Sequence, residues 1–392
     1  MKKKIKILRI IDTLDKIYGG PSNTIIDSSK ILSKKGFRVD ILTHDHDYGD
    51  TKVNNNIKIF NKGPNFTNYF LNIKITLWLL KNRHRYDFFI IHGIWKFKTL
   101  LARFLLKGRY FVFTHGMLDP YFGTEFFKNL KKNIFWLLIE KKNLTNSNTI
   151  LLTSNNEKKS LDQTYVNTSG IKKTVISYGI KRTEFSKKIS LKIFYKKFPE
   201  LHKKKFVLFL GRFHKKKGCE VLLESVKILK KKNIDIRVLL VGPDNQYKKK
   251  LMKLAKNNQI ESNLIWSNFL SGKLKWGAIY ASKAMVLSSH GENFGVSIVE
   301  SLSCGKPVLI TNKVNIFNYI KNYNAGYVSS DNNLSFSKIL EKFYKLQKRQ
   351  MLSLVKNSVY CFNREFNLER TKNGLDKFLK DQYYNNLKNK KK

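Results

Sequence analysis

The 392-residue chain is poor in acidic side chains, in cysteine and in long apolar runs. Against 76 Lys and Arg stand only 28 Asp and Glu, a formal net charge of +48. Such a surplus attracts polyanions of every kind, whether nucleic acid, anionic lipid or phosphorylated substrate, and carries no information about fold. Cys219, Cys304 and Cys361 are far apart and form no CxxC or Cys/His spacing. That argues against a disulfide framework or a zinc module and fits a reducing cytosol. Runs such as Ile134–Ile139 and Phe206–Leu210 fall well short of the ~20 residues a spanning helix needs. The opening Lys2–Lys4 imitates the front of an export signal, but Lys6, Arg9 and Asp12 interrupt the apolar stretch behind it. A cytoplasmic protein is the expectation. Proline is scarce too, at 6 residues, and 42% of the chain is hydrophobic, which excludes linker-like and disordered classes.

What is present is alternation. Ile5–Ile11, Phe37–Thr43, Asp87–Ile91, Tyr110–Thr114, Ile150–Thr153 and Thr174–Ser177 read as short strands separated by helical stretches. The first of those helices, Pro21–Ser33, has proline in its first turn. The pattern restarts with strand Phe206–Leu210, helix Gly218–Lys230 and strand Ile236–Val241. Strands Leu264–Ser267, Met285–Ser288 and Pro307–Thr311 follow. Repeated βαβ units predict an α/β chain with two Rossmann-like parallel-sheet domains facing a cleft. The expected division is 1–180 for the first domain and 181–205 for an aperiodic linker. A second domain spans 206–366, and a closing helix (Leu368–Leu387) with a basic tail fills 367–392.

Open parallel sheets bind ligands outside the carboxyl ends of their strands, and three motifs fall there. Tyr18-Gly19-Gly20-Pro21 stands before a helix, where paired glycines let backbone approach a ligand and free N–H groups favour an anion. It is not GxGxxG, and a plain tight turn explains it equally well. Gly211-Arg212-Phe213-His214-Lys215-Lys216-Lys217-Gly218 follows the first strand of the second half, where Arg212 and Lys217 can neutralise a diphosphate without a metal. In so lysine-rich a chain a solvated basic loop is the competing reading. The third and most detailed motif runs from Ser288 to Glu300, with Glu292 on a loop, Gly295 at a helix start and Glu300 more than a turn inside that helix.

The order of a GG loop, GRxxxxKG and ExFGxxxxE, followed by Ser303-Cys304-Gly305-Lys306-Pro307-Val308, resembles the retaining family-4 glycosyltransferases of the GT-B fold. His92-Gly93-Ile94-Trp95 and Thr114-His115-Gly116-Met117-Leu118-Asp119-Pro120 resemble the bacterial branch that builds envelope polysaccharide and O-antigen. Ala284, where many relatives carry an acidic residue, and His290-Gly291 before Glu292 depart from the common pattern. The resemblance implies that Arg212 and Lys217 hold the diphosphate of a nucleotide-sugar donor and that Glu300 binds its ribose. It further implies that Glu292, with the backbone of Asn293, Phe294 and Gly295, grips the donor sugar and diphosphate. His115 would stand by the transferred sugar, and Gly19 and Gly20 would let the N-terminal loop approach the diphosphate and acceptor. Fixed cations and a helix N-terminus stabilise a leaving phosphate without a metal or further cofactor. A retaining, front-face displacement onto a glycan or lipid-linked acceptor, in surface polysaccharide or lipopolysaccharide synthesis, is what the family implies.

Taken as a lone histidine, His115 reads as structural before it reads as functional, and only the motif around it reverses that order. His44-Asp45-His46-Asp47 has no identifiable third ligand group and reads as a polar loop rather than a metal site. Two basic aromatic stretches, Phe66–Arg85 and Phe122–Lys142, are either ordinary core helices or helices that rest on anionic lipid. The charge alone also fits a nucleic-acid-binding protein, although no such module is visible. A GT-B enzyme that does not transfer, an epimerase or a phosphorylase, is the third reading.

Overall fold

The computed structural model describes residues 4–15, 20–46, 49–64, 69, 71–120, 126–164, 166–370 and 374–389. The chain divides into two compact units, Met1–Tyr178 with Thr371–Lys392, and Gly179–Arg370. Each is an α/β sandwich built on a mostly parallel sheet.

The first unit contains β1 (Lys6–Ile11), β2 (Arg38–Thr43), β3 (Thr51–Asn54), β4 (Ile57–Asn61), β5 (Phe88–His92), β6 (Tyr110–Phe113), β7 (Thr149–Leu152) and β8 (Lys173–Val175). Their order is β3-β4-β2-β1-β5-β6-β7-β8; only β3 runs antiparallel, against β4. The central strands are mostly apolar because helices cover both faces of the sheet, so neither face has to meet water; Arg9, Asp40 and His92 are buried exceptions in β1, β2 and β5. One face buries Leu8, Ile10, Phe89, Ile91, Tyr110 and Val112 beneath helices that include Ile73–Asn82 and Phe97–Leu106. The other packs Ile7, Phe88 and Phe111 against Leu379 of the helix Leu375–Asn389. Chain order reverses at β1, whose neighbours are β2 and β5, and this puts a topological switch point beside its carboxyl end.

The second unit holds β9 (Val207–Leu210), β10 (Val238–Val241), β11 (Leu264–Ser267), β12 (Ala284–Leu287), β13 (Val308–Thr311) and β14 (Gly326–Ser329). They are ordered β11-β10-β9-β12-β13-β14, and every pairing is parallel. Here the switch point lies between β9 and β12.

The expected linker 181–205 is not a loose connection. Lys187–Lys197 forms a helix within the second unit, with Phe194 buried beside Phe198 and Phe206. Gly277 makes this seat: a Cβ there would lie 2.3 Å from the carbonyl oxygen of Ser190. The closing helix starts at Leu375, later than expected, and belongs to the first unit.

Candidate functional site

In the second unit, two loops leave the switch point side by side. Residues 211–218 follow β9 and end in a single turn, Lys215–Lys217, closed by Gly218 in the left-handed conformation at φ +61. Residues 288–295 follow β12. The loops are joined by hydrogen bonds: Ser288 Oγ donates to the Gly218 carbonyl at 2.7 Å and Ser289 Oγ to the Lys216 carbonyl at 2.6 Å. The His290 N–H reaches the same Lys216 oxygen at 2.9 Å. Both serines are buried, so these bonds also satisfy hydroxyls that water cannot reach.

This lacing fixes Lys217 against Glu292, and Lys217 Nζ donates to Glu292 Oε2. The Glu292 backbone is held in turn by the segment after β13, donating to Lys313 O at 3.0 Å and accepting from Asn315 N at 2.9 Å. Burial pushes the Glu292 carboxyl pKa up. The Lys217 ammonium and its hydrogen bond, with Lys216 and Arg212, outweigh that and hold it below the ordinary carboxylate value. Arg212 itself is exposed. Asn293 Oδ1 accepts from Asn315 Nδ2 at 3.4 Å. Phe294 turns into the core, edge-on to Phe366, so only its backbone is available to a ligand. Gly295, at φ +67, ends the loop and caps the helix Val296–Ser303. Glu300 is buried on that helix and paired with Lys275 Nζ at 2.7 Å. Arg212, Lys217, Glu292, Asn293 and Gly295 are thus grouped by interlocked loops, and Glu300 forms a neighbouring acidic position. Lys275, Asn315 and Asp331, whose carboxylate meets His290 Nδ1 at 3.1 Å, had no local sequence signal.

The remaining expected site residues lie in the first unit. Gly19 lies outside the described residues, as does Asp47 of the His-Asp run. Gly20 is the first residue of the helix Gly20–Lys34. His115 stands two residues past β6 with a left-handed backbone, φ 49, and is half-buried. Its Nε2 lies 2.9 Å from Nδ1 of His92, the last residue of β5. Burial, with the nearby charges of Lys98 and Arg9, pushes the His115 pKa down to about 3. Lys98, itself buried, donates to Asp12 just after β1.

A model of the glycosyl transferases group 1 matches residues 192–358, and a model of glycosyltransferase family 4 matches residues 18–184. The chain belongs to this family. The family-4 match takes in Gly19, Gly20, His92 and His115, and the group 1 match takes in every expected residue of the second unit. A relative, 2-deoxystreptamine N-acetyl-D-glucosaminyltransferase of Niallia circulans, is 30% identical over 113 residues, 29% of this chain and 29% of its own. The aligned part thus spans under a third of that relative's length. HepE of Anabaena, solved with UDP and glucose, superposes with a TM-score of 0.70 at 15% identity, covering 98% of this chain and 100% of that one. WaaG, a glycosyltransferase involved in lipopolysaccharide biosynthesis, gives 0.63 at 15% identity over 90% of this chain and 94% of its own. This family-4 chain therefore has the GT-B fold, with two Rossmann-like α/β domains.

Proposed function

We propose that this protein is a retaining, metal-independent hexosyltransferase. It would move a sugar from a nucleotide-diphosphate sugar to a glycan or lipid-linked acceptor in bacterial surface polysaccharide or lipopolysaccharide synthesis. The observation that carries the reading is the cluster at the β9/β12 switch point, where Arg212, Lys217 and the amino end of the helix after Gly295 supply fixed positive charge. Such groups stabilise a leaving diphosphate without reorganising as charge develops. Glu300 then takes the ribose hydroxyls, and Glu292 with the backbone of 293–295 takes the donor sugar. Glu292 is tied to Lys217, which leaves it a poor nucleophile and favours a front-face displacement. The bond from the anomeric carbon to the diphosphate breaks, the acceptor oxygen bonds that carbon on the same face, and its proton passes to the departing phosphate.

Arg212→Ala is expected to weaken nucleotide-diphosphate binding by about 1.5–3 kcal/mol, the scale of a hydrogen bond to a charged group. Calorimetry in EDTA checks both claims, because loss of all donor binding on chelation contradicts the metal-free reading.

An acceptor with a lipid anchor would be met at a membrane surface. Among the described residues no helix is long and apolar enough to cross a membrane. Two basic helical segments of the first unit nonetheless expose apolar side chains at helical spacing, Ile73, Leu77 and Leu80 on one, Leu130, Ile134, Leu137 and Leu138 on the other. That supports peripheral attachment to an anionic inner leaflet. Trp136, inside the Phe122–Lys142 stretch, is core and not part of that face: it is 1% exposed and its indole N–H donates to Asn167 O at 3.1 Å. The flotation with anionic vesicles that survives high salt should therefore be lost in the Leu137→Glu/Leu138→Glu double variant with the fold intact. Unchanged flotation at high salt in that variant would contradict insertion of this face.

A further inference from the structure

We infer that Arg9 and His92 are positioning residues that hold His115 as a neutral imidazole with its proton on Nδ1, making it a fixed hydrogen-bond donor to a substrate oxygen rather than an acid or a base. The inference rests on the glycosyl-transfer reading only for the identity of that oxygen, on a sugar or a phosphate.

The relay follows from donor and acceptor inventory. Arg9, in the middle of β1, is 1% exposed, and no carboxylate pairs with it among the described residues. Its Nη1 donates to Ile25 O at 3.2 Å, Ser28 Oγ at 2.6 Å and Ser29 Oγ at 3.0 Å. Its Nε donates to His92 Nε2 at 3.1 Å. A guanidinium has donors only, so His92 Nε2 must be a bare acceptor and the His92 proton must sit on Nδ1. That proton points along the 2.9 Å contact to His115 Nε2, which must also be bare. His115 is then left with its proton on Nδ1, and that nitrogen has no protein partner among the described residues. A second proton on either ring would set two N–H groups against each other.

The surroundings agree. Arg9 from β1, Lys98 from the helix Phe97–Leu106 and Lys96 just before it are cationic; Asp12 pairs with Lys98. Tyr178 is held by Thr24 at 2.6 Å. The buried carboxylate of Glu157 is occupied by Thr153 N at 2.7 Å and Thr114 Oγ1 at 3.3 Å. None of these offers His115 an anionic partner. The rings of His92, Phe113 and His115 lie within 16° of parallel, which fixes the imidazole planes.

Long-range proton–nitrogen correlation spectra of the nitrogen-15-labelled full chain test this directly, with the His115 signals assigned by difference from His115→Gln. In the wild-type protein both His92 and His115 should show a protonated Nδ1 and a bare Nε2 at every pH from about 5 to 9, the range in which an unperturbed histidine titrates. A protonated Nε2 on either ring, or titration of His115 in that range, overturns the relay. In His92→Phe, which keeps an aromatic ring, His115 should gain the Nε2–H tautomer. The loss in kcat/KM should then match the fraction of Nδ1–H form lost. His92→Asn, whose amide N–H falls near the place of Nδ1, should restore that form. An unchanged His115 tautomer in His92→Phe overturns the positioning role. The spectra need no substrate, so failure of the transfer reading would appear separately, as absence of nucleotide release.

Discussion

Lys217→Met is expected to lower kcat by about 10²–10³-fold, the scale for removing one preorganised donor from developing negative charge. The variant loses more than a cation. It leaves Glu292 as a half-buried carboxylate without its ammonium, and the charge repels the incoming diphosphate. Without Lys217 the balance at Glu292 shifts toward burial, so its carboxyl pKa rises and the acid limb of the activity profile moves up in pH. Adding Glu292→Gln to Lys217→Met should therefore recover part of the nucleotide affinity while leaving kcat low. A double-mutant cycle on donor binding and nucleotide release checks the coupling, since simple addition of the two losses would mean that the residues act independently.

Gly218→Ala should be the most damaging small change in the second unit. The residue has φ +61, and a Cβ would lie 1.9 Å from the carbonyl oxygen of Ser288, backbone that cannot swing aside. The turn and the strand-end loop must separate, which breaks the Ser288 and Ser289 bonds that hold Lys217 over Glu292. The expected cost is roughly 3–5 kcal/mol, in the range reserved for strained or overpacked sites. At about 2–4 °C per kcal/mol for a unit of this size, the melting temperature should fall by roughly 6–20 °C. Gly272→Ala is the control, since its φ is +50 but nothing lies within 4 Å of the added Cβ. It should cost only the left-handed backbone penalty of about 1–2 kcal/mol. Equal melting temperatures for the two variants would remove the steric explanation.

The strands legible in the sequence are those with mostly apolar runs, the central ones covered on both faces and the edge strands β8 and β11 among them. The strands without a sequence signal are the more exposed ones: β3 and β4 carry Lys52, Asn54 and Lys58 in exposed positions, and all four residues of β14 are only half-buried. The second unit's loops could be read because their glycines and charges are contiguous in sequence. The first unit's polar cluster could not, because Arg9, His92, Lys98 and His115 come from separate segments and meet only across the β1/β5/β6 register. An arginine inside an apolar strand reads as an interruption until its four bonds are seen. The helix Lys187–Lys197 gives little periodic signal for a related reason, since its apolar side is narrow and only Ser190 and Phe194 of it are buried.

The first unit is discontinuous in sequence, and that has a bearing on how the protein is made. Its sheet buries Leu379, and Phe378 and Tyr383 meet Phe111 and Phe88 edge-on with ring centroids 5.1 and 6.4 Å apart. Asp376 pairs with Lys35 at 3.0 Å. During synthesis, residues up to Tyr178 emerge with Phe88 and Phe111 still lacking their contacts with Phe378, Leu379 and Tyr383. They stay so until the ribosome has produced the whole of Gly179–Arg370. At about 5–20 residues per second the wait is on the order of 10–40 s. The second unit, contiguous in the chain, is free to fold first, so the order of completion is the reverse of the order of translation.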